Sequence, residues 1–265
     1  MAQEITAPLT VSVADGVARV VMERPRRHNA FDDTLIDALA DAFEALAGRT
    51  DVRCMILAGA GKSFSAGADL DWMKRSAEYA FDENLTEARR LAEMIRRLDT
   101  LPMPTIALVQ GAAIGGGVGL VAACDIALAS DAAVFSFSEV KLGIIPSVIS
   151  PYVLRAIGER AAGRYVLTGE RFDAAEALRI GLVHAVVPAD GLDSASEALT
   201  STILANGPEA VAAAKRLIAD IAGQPIDGAL IEETARRIAE IRRGAEGREG
   251  VGAFLEKRQP YWRGD

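Results

Sequence analysis

Cysteine and histidine, which most often carry metal and redox chemistry, are scarce in this sequence. Its 265 residues include two cysteines, Cys54 and Cys124, and two histidines, His28 and His184, that lie far apart along the chain. No HExxH, CxxC or GxSxG motif occurs, so a zinc site and a serine hydrolase both lack their parts. Each cysteine adjoins an apolar run, which predicts a small buried core residue rather than a disulfide or a metal ligand.

An excess of basic residues and a long apolar run are missing as well. The 29 Lys and Arg residues are outnumbered by 37 Asp and Glu residues, which gives a net charge of −8. This balance argues against binding to a nucleic-acid backbone, but it is compatible with a local basic cluster for one phosphate group. No stretch of 18 apolar residues occurs, and Met1 to Glu4 do not begin a secretory leader. We therefore expect a soluble, cytoplasmic protein with no membrane partner.

Short apolar runs alternate with amphipathic stretches through most of the chain, which is 50% hydrophobic and 25% charged. Asp15-Gly16 separates two β-rich runs and predicts a tight hairpin. A helix follows, with Asp32 or Asp33 as its N-cap, and Asp82 can cap a second, longer helix. Further strands are expected at Cys54–Leu57, Thr105–Val109, Ile126–Ala129 and Val134–Phe137. The alternation predicts an α/β fold with mostly parallel strands.

The strand signal disappears after Pro188. Three helices are predicted beyond it, at about 193–205, 208–222 and 226–243. An apolar stripe within them contains Ile226, Leu230, Ile231, Ile238 and Ile241. We therefore divide the chain into an α/β core, 1–190, and a helical C-terminal region, 191–265.

Two strand-to-loop junctions have the composition of an anion-binding site. Ser63–Leu70 is built mainly of small residues, and Gly115–Gly117 stands between a strand and an apparent helix start. Main-chain N–H groups at such junctions lack partners, and two of them aimed at one point make an oxyanion hole. Tight packing alone would also explain the glycines. A dinucleotide-binding turn fits less well because the third glycine of GxGxxG is missing, although Glu139 lies at a suitable distance for a ribose-binding acid.

Taken together, the segments resemble the enoyl-CoA hydratase/isomerase (crotonase) superfamily from about residue 9 to the C-terminus. The segments that carry the resemblance are Asn29-Ala30, Phe64–Asp69, Pro104–Ala107, Gly111, Gly115–Gly117, Cys124–Ile126, Ser138–Pro146, Leu167–Gly169, Gly181–Val183 and Phe254–Arg258. The resemblance implies a spiral of repeated ββα units followed by a helical trimerisation region. It also implies an acyl-CoA thioester as substrate, a homotrimer or dimer of trimers, and no permanently bound cofactor, because coenzyme A arrives as part of the substrate.

The resemblance also assigns residues to roles. Ala68 and Gly116 would donate the two N–H groups that stabilise a thioester enolate. Arg26 or Arg27 would lie near the phosphate groups of coenzyme A, unless they are simply a solvated basic loop. Lys257 would reach coenzyme A from the C-terminal region of its own or a neighbouring subunit. The other residues expected to line the substrate path are Ala66, Gly67, Asp69, Leu70, Gly115, Gly119 and Ser147.

One departure from the family pattern concerns the catalytic carboxylates. Hydratases of this family usually carry two glutamates; Glu139 matches the second, whereas Gly119 stands in place of the first, and Ser147 replaces a common glycine. Glu139 then acts alone on a water, another polar group substitutes, or the reaction is an isomerisation in which one base moves a proton. A salt-bridged surface carboxylate is the structural alternative for Glu139. A CoA- or RNA-binding protein with little catalysis and an NAD-dependent dehydrogenase are the remaining alternatives.

Three segments favour one branch of the superfamily. Asp71–Arg75, Gly117–Leu120 and Val148–Gly158 resemble hydratases of methylglutaconyl-type CoA esters. A glycine at position 119 would remove a negative charge and leave room in the pocket, so we expect carboxylated, branched enoyl-CoA esters to be preferred over crotonyl-CoA.

Overall fold

A computed structural model describes residues 7–263. Residues 1–6 and 264–265 lie outside this range. They include Met1 to Glu4, on which the expectation about a leader depends, and the outer ends of the predicted regions 1–190 and 191–265. Nine strands and ten α-helices are present within it. The strands are β1 Leu9–Ala14, β2 Val17–Met22, β3 Cys54–Gly59, β4 Thr105–Val109, β5 Ala112–Ile114, β6 Ile126–Ser130, β7 Val134–Ser136, β8 Phe172–Asp173 and β9 Ala185–Val187. The helices are α1 Asp33–Ala47, α2 Leu70–Ser76, α3 Phe81–Asp99, α4 Gly116–Ala123, α5 Ser150–Thr168, α6 Ala174–Arg179, α7 Leu192–Leu204, α8 Pro208–Ile221, α9 Gly228–Arg243 and α10 Ala245–Glu256.

The larger sheet has six strands in the order β1-β2-β3-β4-β6-β9. β1 and β2 form the expected antiparallel hairpin, in which Asp15 and Gly16 both have positive φ angles, of 49° and 77°. From β2 onward all neighbouring pairs are parallel. A smaller sheet, β5-β7-β8, stands beside it. The prediction of an α/β fold with mostly parallel strands is confirmed.

The two cysteines belong to the apolar core, as predicted. Both are buried, and burial raises the pKa of the Cys54 thiol to about 12. Burial likewise raises the pKa of Cys124, so both thiols are neutral at physiological pH. Among residues 7–263 we find no helix with the combination of length and hydrophobicity that a bilayer crossing requires.

Helix starts were predicted with mixed success. Asp32 caps α1 by accepting the Leu35 N–H at 2.9 Å, as expected. Asp82 does not cap α3, because that helix begins one residue earlier and Ala80 is its N-cap. The Glu83 carboxylate instead accepts the Ala80 N–H at 2.8 Å, so an acid inside the first turn satisfies the helix end in place of a side-chain cap.

The three predicted C-terminal helices are present as α7, α8 and α9, and α10 follows them. Glu246 of α10 is buried and accepts the N–H groups of Glu209 and Ala210 at 2.9 and 2.8 Å, which caps α8. Lys215 of α8 pairs with Asp125 at 2.6 Å, just before β6 begins. Helix α8 and the start of α10 therefore lie near the N-terminal ends of β4 and β6, the edge opposite to the loops that follow β3 and β4.

Candidate active site

Asn29 braces the loop that follows β3. Its side chain is fully buried and donates to the carbonyls of Ala60 at 2.9 Å and Ser63 at 2.8 Å. Its Oδ1 accepts the Arg24 N–H at 2.9 Å. The φ angle of Asn29 is 53°, in the left-handed region that asparagine tolerates better than most residues. The Asn29-Ala30 segment therefore holds the loop that presents Ala66 to Asp69.

Ala68 lies in a short parallel bridge with Phe31. The Phe31 N–H donates to the Gly67 carbonyl at 2.7 Å, and the Asp69 N–H donates to the Phe31 carbonyl at 2.8 Å. In a parallel bridge the central residue directs its own N–H away from its partner. Accordingly the Ala68 N–H has no acceptor among residues 7–263, and this donor is available to a ligand.

Gly116 is the first residue of α4 and supplies a second available N–H. Gly115 caps the helix with a φ angle of 52° and donates its own N–H to the Ser136 carbonyl at 2.9 Å. The Gly116 N–H has no acceptor within the described part of the chain and lies at the positive end of the helix dipole. A Cβ atom added to Gly116 would stand 3.0 Å from the Phe31 ring. Phe31 thus contacts Gly116 with its ring and flanks Ala68 with its main chain.

Glu139 lies beside this pair of donors. It begins a 3-10 turn after β7, and its Oε1 is 2.8 Å from the position that a Cβ atom on Gly115 would occupy. Its Oε2 is buried and has no hydrogen-bond partner among residues 7–263. Burial raises the pKa of Glu139, opposed by a hydrogen bond to its own main chain. A half-buried carboxylate with an unbonded oxygen is suited to proton transfer, and the structure does not show the salt-bridged alternative for Glu139 within that range.

Asp69 has a structural role that the sequence did not reveal. It is buried, caps α2 by accepting the Asp71 N–H at 2.9 Å, and pairs with Arg24 at 3.1 Å. Burial opposes its ionisation, but the N–H groups of Asp71 and Trp72 and the charge of Arg24 outweigh burial and lower its pKa. Arg24 also pairs with Asp32 at 2.6 Å. The Asp69 side chain is therefore occupied in the fold, and its expected place along the substrate path stays a prediction.

Most of the other predicted substrate residues surround the same loop. Arg26 and Arg27 are exposed in a 3-10 turn at Pro25–Arg27, and Arg27 pairs with Asp71 at 3.0 Å. Gly61 approaches that turn, since a Cβ atom there would stand 2.8 Å from Pro25 Cβ. Of the other predicted substrate residues, Ala66 is half-buried and Gly67 is buried. Leu70 is exposed at the start of α2, and Ser147 is exposed before α5.

Lys257 is not part of this group within one chain. It is exposed and ends α10 with a φ angle of 56°. The segment after it is tied to the start of β3, because Arg53 donates to the Trp262 carbonyl at 3.2 Å. Lys257 therefore belongs with the C-terminal helices at the opposite edge of the large sheet from Glu139.

Gly119 does not leave the room that the sequence suggested. It is buried in α4, and a Cβ atom added there would overlap Ile149 Cγ2 and stand 2.8 Å from Ile149 Cβ. Ile149 is 3% exposed and immediately precedes α5. An isoleucine side chain thus fills the space that was expected to be empty, and the expectation of a roomier pocket is wrong.

The chain is similar to known proteins of one family over nearly its whole length. The family model for enoyl-CoA hydratase/isomerase matches residues 12–265. The chain belongs to the enoyl-CoA hydratase/isomerase family. Members of this family act on acyl-CoA thioesters, and the crotonase-like fold expected from the sequence is confirmed.

Solved and curated members of the enoyl-CoA hydratase/isomerase family are similar over nearly the whole chain. The crystal structure of an enoyl-CoA hydratase from Shewanella pealeana is 45% identical, with a TM-score of 0.93 over 96% of each chain. The 2,3-dehydroadipyl-CoA hydratase of Escherichia coli is 32% identical over 97% of this chain and 98% of its own length. A mitochondrial Δ(3,5)-Δ(2,4)-dienoyl-CoA isomerase of Dictyostelium discoideum is 33% identical over 93% of this chain and 87% of its own length. The family thus includes both hydratases and isomerases.

The raised pKa of Glu139 predicts a gain in stability when the charge is removed. Because the pKa is higher in the folded chain than in the unfolded one, the protonated carboxyl favours folding; this contribution is complete below the unfolded pKa and is lost as pH rises through the folded pKa. Glu139→Gln imitates the protonated form at every pH. We expect the variant to melt above the wild type at about pH 8, with the difference vanishing near pH 4.

Thermal unfolding at both pH values tests this expectation, with Glu170→Gln as the control. Glu170 pairs with Arg164 at 2.7 Å, and this contact lowers its pKa. Its substitution should therefore not stabilise the protein at neutral pH. A Glu139→Gln variant that melts below the wild type at pH 8 would show that the carboxylate is held by the fold rather than strained by it.

Proposed function

We propose that the chain is an enoyl-CoA hydratase that adds water across the C2=C3 bond of an enoyl-CoA thioester, or removes it. The observation that carries the proposal is the buried, unbonded Oε2 of Glu139 beside Gly115 and the available N–H of Gly116. In this proposal Ala68 and Gly116 bind the thioester oxygen, and Glu139 moves the proton. Coenzyme A enters with the substrate, and the reaction requires no other cofactor.

One carboxylate is sufficient to balance the reaction. Glu139 takes a proton from water while the water oxygen bonds to C3 and the C2=C3 electron pair moves into the thioester. The resulting enolate oxygen is held by the two N–H groups. Protonated Glu139 then gives its proton to C2, so that one H and one OH have been added. A carboxyl whose pKa is raised by burial suits a group that must act first as base and then as acid.

Isomerisation is the second candidate, and the surroundings of Gly119 favour it. The space beside Gly119 holds Ile149 rather than a second acid, so no carboxylate from that position helps to orient a water. In an isomerisation Glu139 takes a proton from C2 of a 3-enoyl thioester and returns it to C4, and the same enolate is stabilised. No water takes part.

Product analysis separates these reactions. The conjugated enoyl-thioester absorbance falls on hydration of a 2-enoyl-CoA and rises on isomerisation of a 3-enoyl-CoA. Mass spectrometry shows a product heavier by one water only in the first case. If CoA esters bind without turnover across a panel of chain lengths, the chain is a binding protein and the proposal is wrong.

A carboxylated acyl chain, such as that of 3-methylglutaconyl-CoA, is the proposed substrate class. The substrate carboxylate avoids like-charge repulsion from a second glutamate, and the Escherichia coli relative is named for the CoA ester of a dicarboxylic acid. We expect kcat/KM for 3-methylglutaconyl-CoA to exceed that for crotonyl-CoA by about tenfold, the equivalent of one modest charge interaction. Equal specificity constants would contradict the assignment of the class.

The last part of the proposal is that the chain assembles into an oligomer through its C-terminal helices. Large apolar side chains are exposed on the C-terminal helices and beside them, namely Ile218, Ile226, Ile231, Ile238, Phe254 and Leu255. Contact between subunits would cover them, and we propose a trimer or a dimer of trimers. Lys257 would then approach the coenzyme A of a neighbouring subunit, while Arg26 and Arg27 serve the phosphates of their own. Light scattering that shows a stable monomer at micromolar concentration would contradict the assembly.

A further inference from the structure

The face of α4 that carries the Gly116 donor also carries Gly119. Residues three and four apart lie on the same side of a helix, so Gly119 stacks above Gly115 and Gly116. Helical side chains lean toward the N-terminus and cover the turn that precedes their own Cα. A side chain at position 119 would therefore project over Gly115 and Gly116. Glu139 Oε1 approaches Gly115, the N-cap of the same helix, one turn before Gly119.

Ile149 occupies this place from a different element. Both its Cγ2 and its Cβ lie too close to admit a Cβ atom on Gly119, and Ile95 Cδ1 stands 3.7 Å away on another side. Ile149 is held in position by the start of α5, because its carbonyl accepts the Val153 N–H at 3.1 Å. Its side chain is buried among the core residues. Because the β-branched side chain of Ile149 packs directly against Gly119, no space is left there for a polar group or a water.

We propose that Ile149 is a specificity-determining residue that keeps the pocket to a single carboxylate. The inference deepens the proposed function and rests on it. Ile149 blocks position 119 and presents hydrocarbon where a second acid would stand. With no second acid at position 119, Glu139 is left as the proton carrier, and a carboxylate on the acyl chain meets no like charge from that position.

The contact between Ile149 and position 119 reverses the expected effect of a glycine-to-alanine substitution on the melting temperature. Replacing a helical glycine with alanine ordinarily stabilises a protein. Gly119→Ala should instead lower the melting temperature, by on the order of 5 °C, because its methyl group meets Ile149. In the Ile149→Gly background the same change should raise the melting temperature. Ile149→Val is the matched control, because valine keeps the Cβ and γ-methyl groups that meet position 119 and should give no relief.

The role of Ile149 in specificity is tested by removing its side chain and adding a glutamate at position 119. Gly119→Glu alone should fold poorly. Gly119→Glu combined with Ile149→Gly should fold better than Gly119→Glu alone and carry a second carboxylate. The ratio of kcat/KM for crotonyl-CoA to that for 3-methylglutaconyl-CoA should rise at least about tenfold over the wild type. Gly119→Glu with Ile149→Val should recover neither folding nor activity.

The outcomes are distinguishable. Failure of Ile149→Gly to rescue either position-119 variant overturns the blocking contact, and an unchanged ratio in a folded double variant overturns the role in specificity. A wild type that turns over none of the CoA thioesters overturns the proposed function, and the inferred role in specificity with it. The melting temperatures still decide, in that case, whether Ile149 blocks position 119, since they need no substrate.

Discussion

Glu139→Gln should lower kcat/KM for the enoyl thioester by about 10²- to 10⁴-fold, the usual contribution of a positioned acid–base group. Glutamine keeps the shape of the side chain and has no proton to exchange at neutral pH. Binding should survive, because the proposed contacts to the thioester oxygen come from main-chain N–H groups. Stopped-flow or steady-state absorbance measures turnover, and calorimetry with a non-reactive acyl-CoA measures binding.

Glu170→Gln serves as the control here too, because Glu170 forms a surface ion pair with Arg164. It should leave kcat/KM within about twofold of the wild type, as is usual for surface substitutions. Near wild-type turnover by Glu139→Gln would place the chemistry on another group. Loss of binding together with turnover would mean that the carboxylate holds the loop rather than moves a proton.

Gly116→Pro should lower turnover by about 10²- to 10³-fold, because proline removes the N–H that we assign to the thioester oxygen. Proline is well suited to the first position of a helix, so the backbone of α4 tolerates it. Its Cβ atom will press on the Phe31 ring, which a Cβ at this position approaches to 3.0 Å. That contact must be separated from the loss of the donor.

Gly116→Ala makes the separation. Alanine brings the same Cβ atom against Phe31 and keeps the N–H, so the ratio of the two variants reports the donor alone. We expect alanine to retain most of the activity and proline to lose it, with circular dichroism confirming that both fold. Equal losses in the two variants would assign the effect to Phe31 and remove Gly116 from the oxyanion site.

The elements predicted correctly from the sequence are those with local signals. The Asp15-Gly16 turn and the Asp32 cap each depend on residues within a few positions of one another. Parallel pairing followed from the alternation of strands and helices. The start of α3 was misplaced because Glu83 bonds to the main chain of Ala80 and replaces the side-chain cap expected from Asp82. The helix α10 was not predicted.

The features of the site also divide into those predicted from the sequence and those seen only in the structure. The two junctions built of small residues pointed to main-chain donors, and the family resemblance selected Ala68, Gly116 and Glu139. Three contacts were not visible in the sequence, and two of them join residues at least 30 positions apart. Arg24 joins Asp32 to Asp69, and Ile149 fills the space over Gly119. The glycine at 119 was conspicuous, but only the structure identifies its partner, which is 30 positions further along the chain.

The position of Phe31 makes the geometry of the two donors interdependent. Its main chain fixes Gly67 and Asp69 on either side of Ala68, and its ring contacts the first turn of α4. A smaller residue at this position would remove the ring contact with Gly116, and a larger one would press on the first turn of α4. Attempts to evolve the pocket for bulkier thioesters will therefore meet a constraint at position 31. The separation of the two N–H groups therefore depends on a single residue, Phe31, whereas the other residues around them can be substituted more freely.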